Sequence, residues 1–204
     1  MYRTNPRNCM QSHILLNLLR ETGAILEGHF LLTSGRHSNV YIEKFRILEN
    51  PDSLDLVCQN MAEIVQGEEV DIVLGAAIGG ILISAGVGRY LSTKHIFSER
   101  VDGKMELRRG FSIKKGDRIV IVEDIITTGG SVIELIDLAE KLSAEIVHVI
   151  NLVDRSPEGI DFGYPTTTLL KLPSESFDLD SCSLCKQGLP FSERGRTGKK
   201  MEIV

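Results

Sequence analysis

The sequence predicts an α/β protein: a doubly wound, mainly parallel sheet flanked by helices, with a small N-terminal flap. Three observations carry that expectation. Ile119-Val120-Ile121-Val122 is an unbroken β-branched run, which suits a strand buried on both faces rather than the alternating pattern of a half-exposed one. From Asn50 to Lys171 strand-like runs alternate with helix-length stretches, the pattern of crossover units and parallel pairing. Before Phe45, by contrast, the apolar pieces are joined by connections too short for a crossover helix, so they pair antiparallel.

In chain order, Met10, Ile14, Leu15, Leu18 and Leu19 recur at helical spacing, and Gly23 stops that helix. Ala24 to Leu26, Phe30 to Leu32 and Asn39 to Phe45 read as short flap strands, with Thr33 to Ser38 as a polar turn. Asn50-Pro51 supplies a cap and a first-turn proline for a helix to about Gln66. Strand Val70 to Leu74, loop Gly75 to Gly80, a helix to Leu91 and strand Lys94 to Phe97 form the first βαβ unit. The charged stretch Ser98 to Gly110 precedes the central strand. A helix from Gly130 to Leu142 and strands Glu145 to Leu152 and Thr167 to Lys171 follow. Beyond Pro173 the chain turns polar, and a mobile tail is expected over Ser192 to Lys200. The expected division is an N-terminal helix and flap (1–45), an α/β core (46–175) and an irregular C-terminal segment (176–204).

The composition fits one domain of ordinary size. Of the 204 residues, 42% are hydrophobic and 25% charged, with no apolar run long enough for a bilayer. Met1 to Asn8 lack the apolar core of a signal peptide, so a cytoplasmic location is expected. The net charge of -5 argues against a general nucleic-acid binder. Four cysteines are too few for a disulfide framework at this length. Cys9 and Cys58 lie in helical patterns as small core residues. Cys182-Ser183-Leu184-Cys185 is a CxxC pair, but zinc takes four ligands and no second pair or neighbouring His completes the set locally. A structural turn is therefore preferred there to metal or redox chemistry.

The chemistry concentrates behind the central strand. Glu123 and Asp124 leave its carboxyl end, where open α/β sheets bind ligands, and acids there accept hydrogen bonds from sugar hydroxyls or face a metal. Thr127, Thr128, Gly129, Gly130 and Ser131 then place small hydroxyls and two glycines just before a helix, an arrangement that wraps a phosphate in backbone N–H groups. Gly75 to Gly80, including Ala77 and Gly79, sits at the end of another buried strand. Its glycines serve either close approach to a diphosphate or tight strand–helix packing. Arg100, Lys104, Arg108 and Arg109 give four cations in ten residues, either a solvated hairpin or a loop that stabilises a departing anion. Arg155 leaves the end of the next apolar strand, either as a surface residue or as a fork reading a planar heterocycle.

Four apolar residues, Glu123-Asp124, two apolar residues and Thr127-Thr128-Gly129-Gly130-Ser131 resemble the signature of type I phosphoribosyltransferases. That resemblance implies that the acids hold the ribose hydroxyls of phosphoribosyl pyrophosphate (PRPP) and the bend binds its 5-phosphate. It also implies that Ala77 and Gly79 contact pyrophosphate and that Mg2+ is held mainly through the substrate, with no ligands from the protein directly. Phe30 to Tyr41, the polar loop from Glu99 and Val153-Asp154-Arg155 narrow the resemblance to the orotate-using branch of the family, over nearly the whole chain. On that branch Ser34, Gly35, Ser38 and Tyr41 line the base pocket with Thr127, Arg155 contacts orotate, and a mobile loop crosses between the subunits of a homodimer. There are two departures. Thr33 stands where the best-studied members carry a lysine, and the loop has no His, so Lys104, with Arg100, is taken as its catalytic cation beside Asp124. The rivals are a purine phosphoribosyltransferase, with the same PRPP motif and another base pocket, and a non-catalytic PRPP-sensing regulator that binds nucleic acid.

Overall fold

A computed structural model describes residues 7–32, 35–173 and 176–192, with the side chains of 7–12 left aside. Ser34, the Cys9 side chain and the tail beyond Ser192 lie outside the described residues. The elements run α1 (Arg7–Glu21), β1 (Ile25–Leu31), β2 (His37–Ile42), α2 (Phe45–Leu48), α3 (Pro51–Ile64), β3 (Ile72–Ala76), α4 (Gly79–Leu91), β4 (Lys94–Val101), β5 (Lys104–Leu107), β6 (Arg118–Ile126), α5 (Gly130–Lys141), β7 (Glu145–Asp154), β8 (Thr166–Lys171), β9 (Ser176–Phe177), a 3-10 turn (Leu179–Ser181) and α6 (Ser183–Lys186).

The main sheet has the order β5-β4-β3-β6-β7-β8, parallel except for β5. The central strand β6 is buried along Ile119 to Asp124, as a run without polar alternation requires when both faces are covered. Val73, Val120 and Val122 pack with Val57, Met61, Ile83 and Val87 of α3 and α4 on one face. Ile72, Leu74, Ile119 and Ile121 pack with Val132, Leu135 and Ala139 of α5 on the other. Asn50 caps α3, its side chain accepting from the Ser53 N–H at 2.9 Å, with Pro51 in the first turn. From β3 the chain crosses to β4 on one side and returns to β6 on the other, so the strand order reverses between β3 and β6 and opens a crevice at their carboxyl ends.

The flap is a separate sheet, β1-β2-β9. The two short strands expected at 24–26 and 30–32 are one strand, β1, with a register shift between Glu27 and Phe30. The strand expected over Asn39 to Phe45 runs from His37 to Ile42 and gives way to the short helix α2. The charged stretch 98–110 is more regular than a loop. β4 and β5 pair antiparallel across Asp102-Gly103, both at positive φ (48° and 83°), the turn that an Asp-Gly pair favours because its twist matches the strands. The segment after Pro173 contributes β9, which pairs with β2 by His37↔Phe177 and Ser38↔Ser176.

Candidate active site

Because side chains alternate along a strand, the two acids of β6 face opposite sides at its carboxyl end. Asp124 lies on the α4 face with Val120 and Val122, and Glu123 on the α5 face with Ile119 and Ile121. Both are buried, at 2% and 6% exposure. The Asp124 N–H donates to Glu123 Oε1 (2.9 Å) and the Ile125 N–H to Asp124 Oδ1 (2.6 Å). The second Asp124 oxygen lies 2.7 Å from Lys44 Nζ, so a buried carboxylate has its charge compensated by a cation from the flap junction.

Gly79 makes this position possible. A Cβ built there lies 1.6 Å from Asp124 Oδ2, so the carboxylate occupies the space a side chain would fill. Gly75 and Gly80 serve strand–helix contact, since a Cβ on Gly75 meets the Gly80 carbonyl oxygen at 2.2 Å. The glycines of 75–80 are thus accounted for by close packing and by the seat of Asp124. Ala77 is half-buried beside the exposed Ile78.

Thr127 and Thr128 are exposed in the bend between β6 and α5. Gly129 has φ 76° and ends the bend as the N-cap of α5, where no side chain caps the helix. A Cβ on Gly129 meets Ile160 Cδ1 at 2.8 Å, so both its conformation and its surroundings demand glycine. With the exposed Gly130 and half-buried Ser131, the first turn of α5 offers free backbone N–H groups at the carboxyl edge of the sheet, the physical basis of anion binding.

Burial and the adjacent Asp124 raise the Glu123 carboxyl from 4.5 to about 8. The folded protein therefore holds a proton that the unfolded chain has released, and this contribution to stability is full below pH 4.5 and lost as pH rises through about 8. Glu123→Gln, isosteric with the protonated acid, should match wild type in denaturant unfolding below pH 4.5. It should be more stable near pH 9 by roughly 2–4 kcal/mol. Parallel curves for the two proteins across that range would count against a protonated Glu123.

Arg155 is buried at 8% exposure rather than on the surface. Its N–H donates to the Ile126 carbonyl (2.8 Å), and a guanidinium nitrogen donates to the Val40 carbonyl of β2 (3.2 Å). Its Nε is buried without a hydrogen-bond partner, and burial pulls the guanidinium below its ordinary value. Arg155 thus spans core and flap near half-buried Tyr41, which stacks at 5.6 Å on Phe30. In the hairpin, Arg100 is tied to Glu134 of α5 (2.8 Å) and to the Gly103 carbonyl (2.7 Å). Arg109 pairs with Glu99 (2.9 Å). Lys104 is exposed, with no ion pair among the described residues. Lys44 was not singled out by sequence reasoning: 80 residues separate it from Asp124, and a lysine after a strand carries no local signal.

The model of the phosphoribosyl transferase domain family matches residues 45–161. An orotate phosphoribosyltransferase of Thermotoga maritima is 43% identical over 92% of this chain and 100% of its own length. One from Caldicellulosiruptor bescii is 40% identical over 93% and 100%. Among solved structures, orotate phosphoribosyltransferase from Aeropyrum pernix superposes with a TM-score of 0.66 at 29% identity, covering 78% of this chain and 93% of that one. A family model covering more than half of the chain and relatives aligned over nearly all of it agree with the acid pair, the hydroxyl-rich bend and the parallel sheet. The chain belongs to the orotate phosphoribosyltransferase family.

Proposed function

We propose that this protein transfers the phosphoribosyl group of PRPP to a ring nitrogen of orotate, releasing pyrophosphate and forming orotidine 5-monophosphate. The observation that carries the reading is the acid pair at the end of β6, set directly before an exposed bend that opens α5 at the sheet's switch point. Such a transfer builds positive character on the ribose ring and negative charge on the leaving group, so catalysis is positioning and electrostatics. Asp124 and Glu123 lie along the ribose hydroxyls, and the Asp124 carboxylate offsets the charge that develops on the ring. Thr127, Thr128, Gly129, Gly130 and Ser131 hold the 5-phosphate. Ala77 and Gly79 border the pyrophosphate. Arg155 and Tyr41, with Ser34 and Thr127, face the base, the Arg155 fork matching the carbonyl and carboxylate edge of orotate.

In this reading a Mg2+ ion is carried mainly by PRPP oxygens rather than by a protein-built cage. When bound, that ion neutralises charge on the leaving pyrophosphate. The reading includes a cytoplasmic homodimer in which the 98–110 hairpin reaches the neighbouring active site with Lys104 and Arg100. Lys104→Ala should lower turnover far more than PRPP affinity. Mixed with an Asp124→Asn partner, it should recover activity toward about a quarter of wild type, because half of random dimers carry one intact site. Recovery absent from the mixture would confine Lys104 to its own subunit. The function itself is tested by assaying purified protein with PRPP, Mg2+ and a panel of orotate, uracil and purine bases. Product with orotate alone is expected. Product with a purine alone would replace the reading, and PRPP binding without product would favour a regulator.

A further inference from the structure

Outside this site, four ligating side chains from distant parts of the chain converge on one point. His29 lies on β1 and His37 on β2, while Cys182 caps α6 and Cys185 lies within it. One ligand atom from each lies within 4.8 Å of the other three. His29 Nε2 is 3.0 Å from His37 Nδ1, 3.7 Å from Cys182 Sγ and 3.6 Å from Cys185 Sγ, and His37 Nδ1 is 3.2 Å from Cys185 Sγ. The edges of a zinc tetrahedron built from two imidazole nitrogens and two thiolates are about 3.3–3.8 Å. Four of the six edges, at 3.0–3.7 Å, are close to that size, and all six lie within 4.8 Å. The first three residues are buried, and both cysteines are free thiols.

The outer groups are also those of a metal centre. His29 Nδ1 lies 2.8 Å from the Leu189 carbonyl oxygen, which can only accept. The ring proton is therefore on Nδ1 and the Nε2 lone pair points into the cluster. The Phe191 ring covers both imidazoles, at 4.3 and 5.0 Å. The local objection to metal at the CxxC pair is thus removed, since the missing ligands come from the flap.

We propose that His29, His37, Cys182 and Cys185 bind one Zn2+ in a closed tetrahedral site that fastens the C-terminal segment to the flap. A mixed nitrogen–sulfur set of this geometry selects zinc among common divalent ions, and four protein ligands leave no open position for catalysis. Leu179, Leu189 and Phe191 are exposed, and among the described residues the other ties of the segment include the two-residue strand β9, the Arg36 contacts to Ser176 and Asp178, the Leu189 carbonyl and the Phe191 ring on the flap histidines, and the pairing of Ser192 with the His29 backbone. A three-stranded flap with so small a core is the setting in which a metal supplies folding energy. Because His37 precedes Ser38 and shares β2 with Tyr41, the ion also fixes the strand that carries the base side of the proposed active site.

The test uses untagged full-length protein produced with zinc in the medium and purified without chelators. Elemental analysis should find one zinc per chain, and cobalt substitution should give the visible bands of a tetrahedral thiolate site. Cys182→Ser and His29→Ala should each lose about nine-tenths of the metal, while Cys58→Ala keeps it. Should those variants fail to fold, stripping wild type with a chelator should speed amide exchange about tenfold or more in β1, β2 and 176–192 and leave β3 and β6 unchanged. Protein without stoichiometric metal, a Cys182–Cys185 disulfide, full metal in Cys182→Ser or unaltered flap exchange after stripping would each overturn the site. None of these readouts depends on which base is the substrate.

Discussion

Asp124→Asn should lower kcat for orotidine 5-monophosphate formation by about 10²- to 10³-fold, the size seen when a charge-stabilising group is removed from a preorganised site. The amide keeps the shape of the carboxylate and the room beside Gly79, so the loss reports charge. Folding should survive, because Lys44, the partner left behind, is 32% exposed and can turn its ammonium to water. Steady-state kinetics with PRPP and orotate measure the effect. A variant within threefold of wild type would remove Asp124 from the chemistry and leave its burial against Lys44 as a structural matter.

Gly79→Ala should be nearly as damaging to activity, by about 10²-fold, and should also cost some stability, because it pushes the buried Asp124 carboxylate off Lys44 and the Ile125 N–H. The added methyl must displace Asp124 Oδ2 and Cγ, which lie 1.6 and 2.7 Å from where it would sit. Part of that cost is offset, because Gly79 is the first residue of α4, where alanine favours helix over glycine by up to about 1 kcal/mol. Gly75→Ala makes a useful contrast, because its methyl meets the backbone carbonyl of Gly80 and should destabilise the fold itself. Unchanged turnover in Gly79→Ala would show that the seat of Asp124 does not matter to catalysis.

Much of the core was legible because its signals are local. The Ile119–Val122 run announces a strand covered on both faces, and Asn50-Pro51 announces a helix start. The acid pair and the bend after it were readable for the same reason, since strand, acids, bend and helix follow one another without interruption. What sequence reasoning missed depends on contacts between distant segments. Nothing near Lys44 indicates that it meets Asp124, and nothing near Cys182 indicates that two flap histidines approach it. The glycines of the loop 75–80 drew notice for close approach to a diphosphate, and the fold adds a contact that the sequence did not show, the room Gly79 leaves for the Asp124 carboxylate. A surface position for Arg155 stayed open as the lesser alternative, and only the fold shows it buried between core and flap.

The measurement that bears most directly on the central claim is a crystal structure with PRPP and Mg2+ bound. The 5-phosphate should accept hydrogen bonds from the backbone N–H groups of residues 127–131, with the ribose hydroxyls against Glu123 and Asp124. PRPP seated elsewhere, with that bend empty and Asp124 still paired to Lys44, would contradict the account.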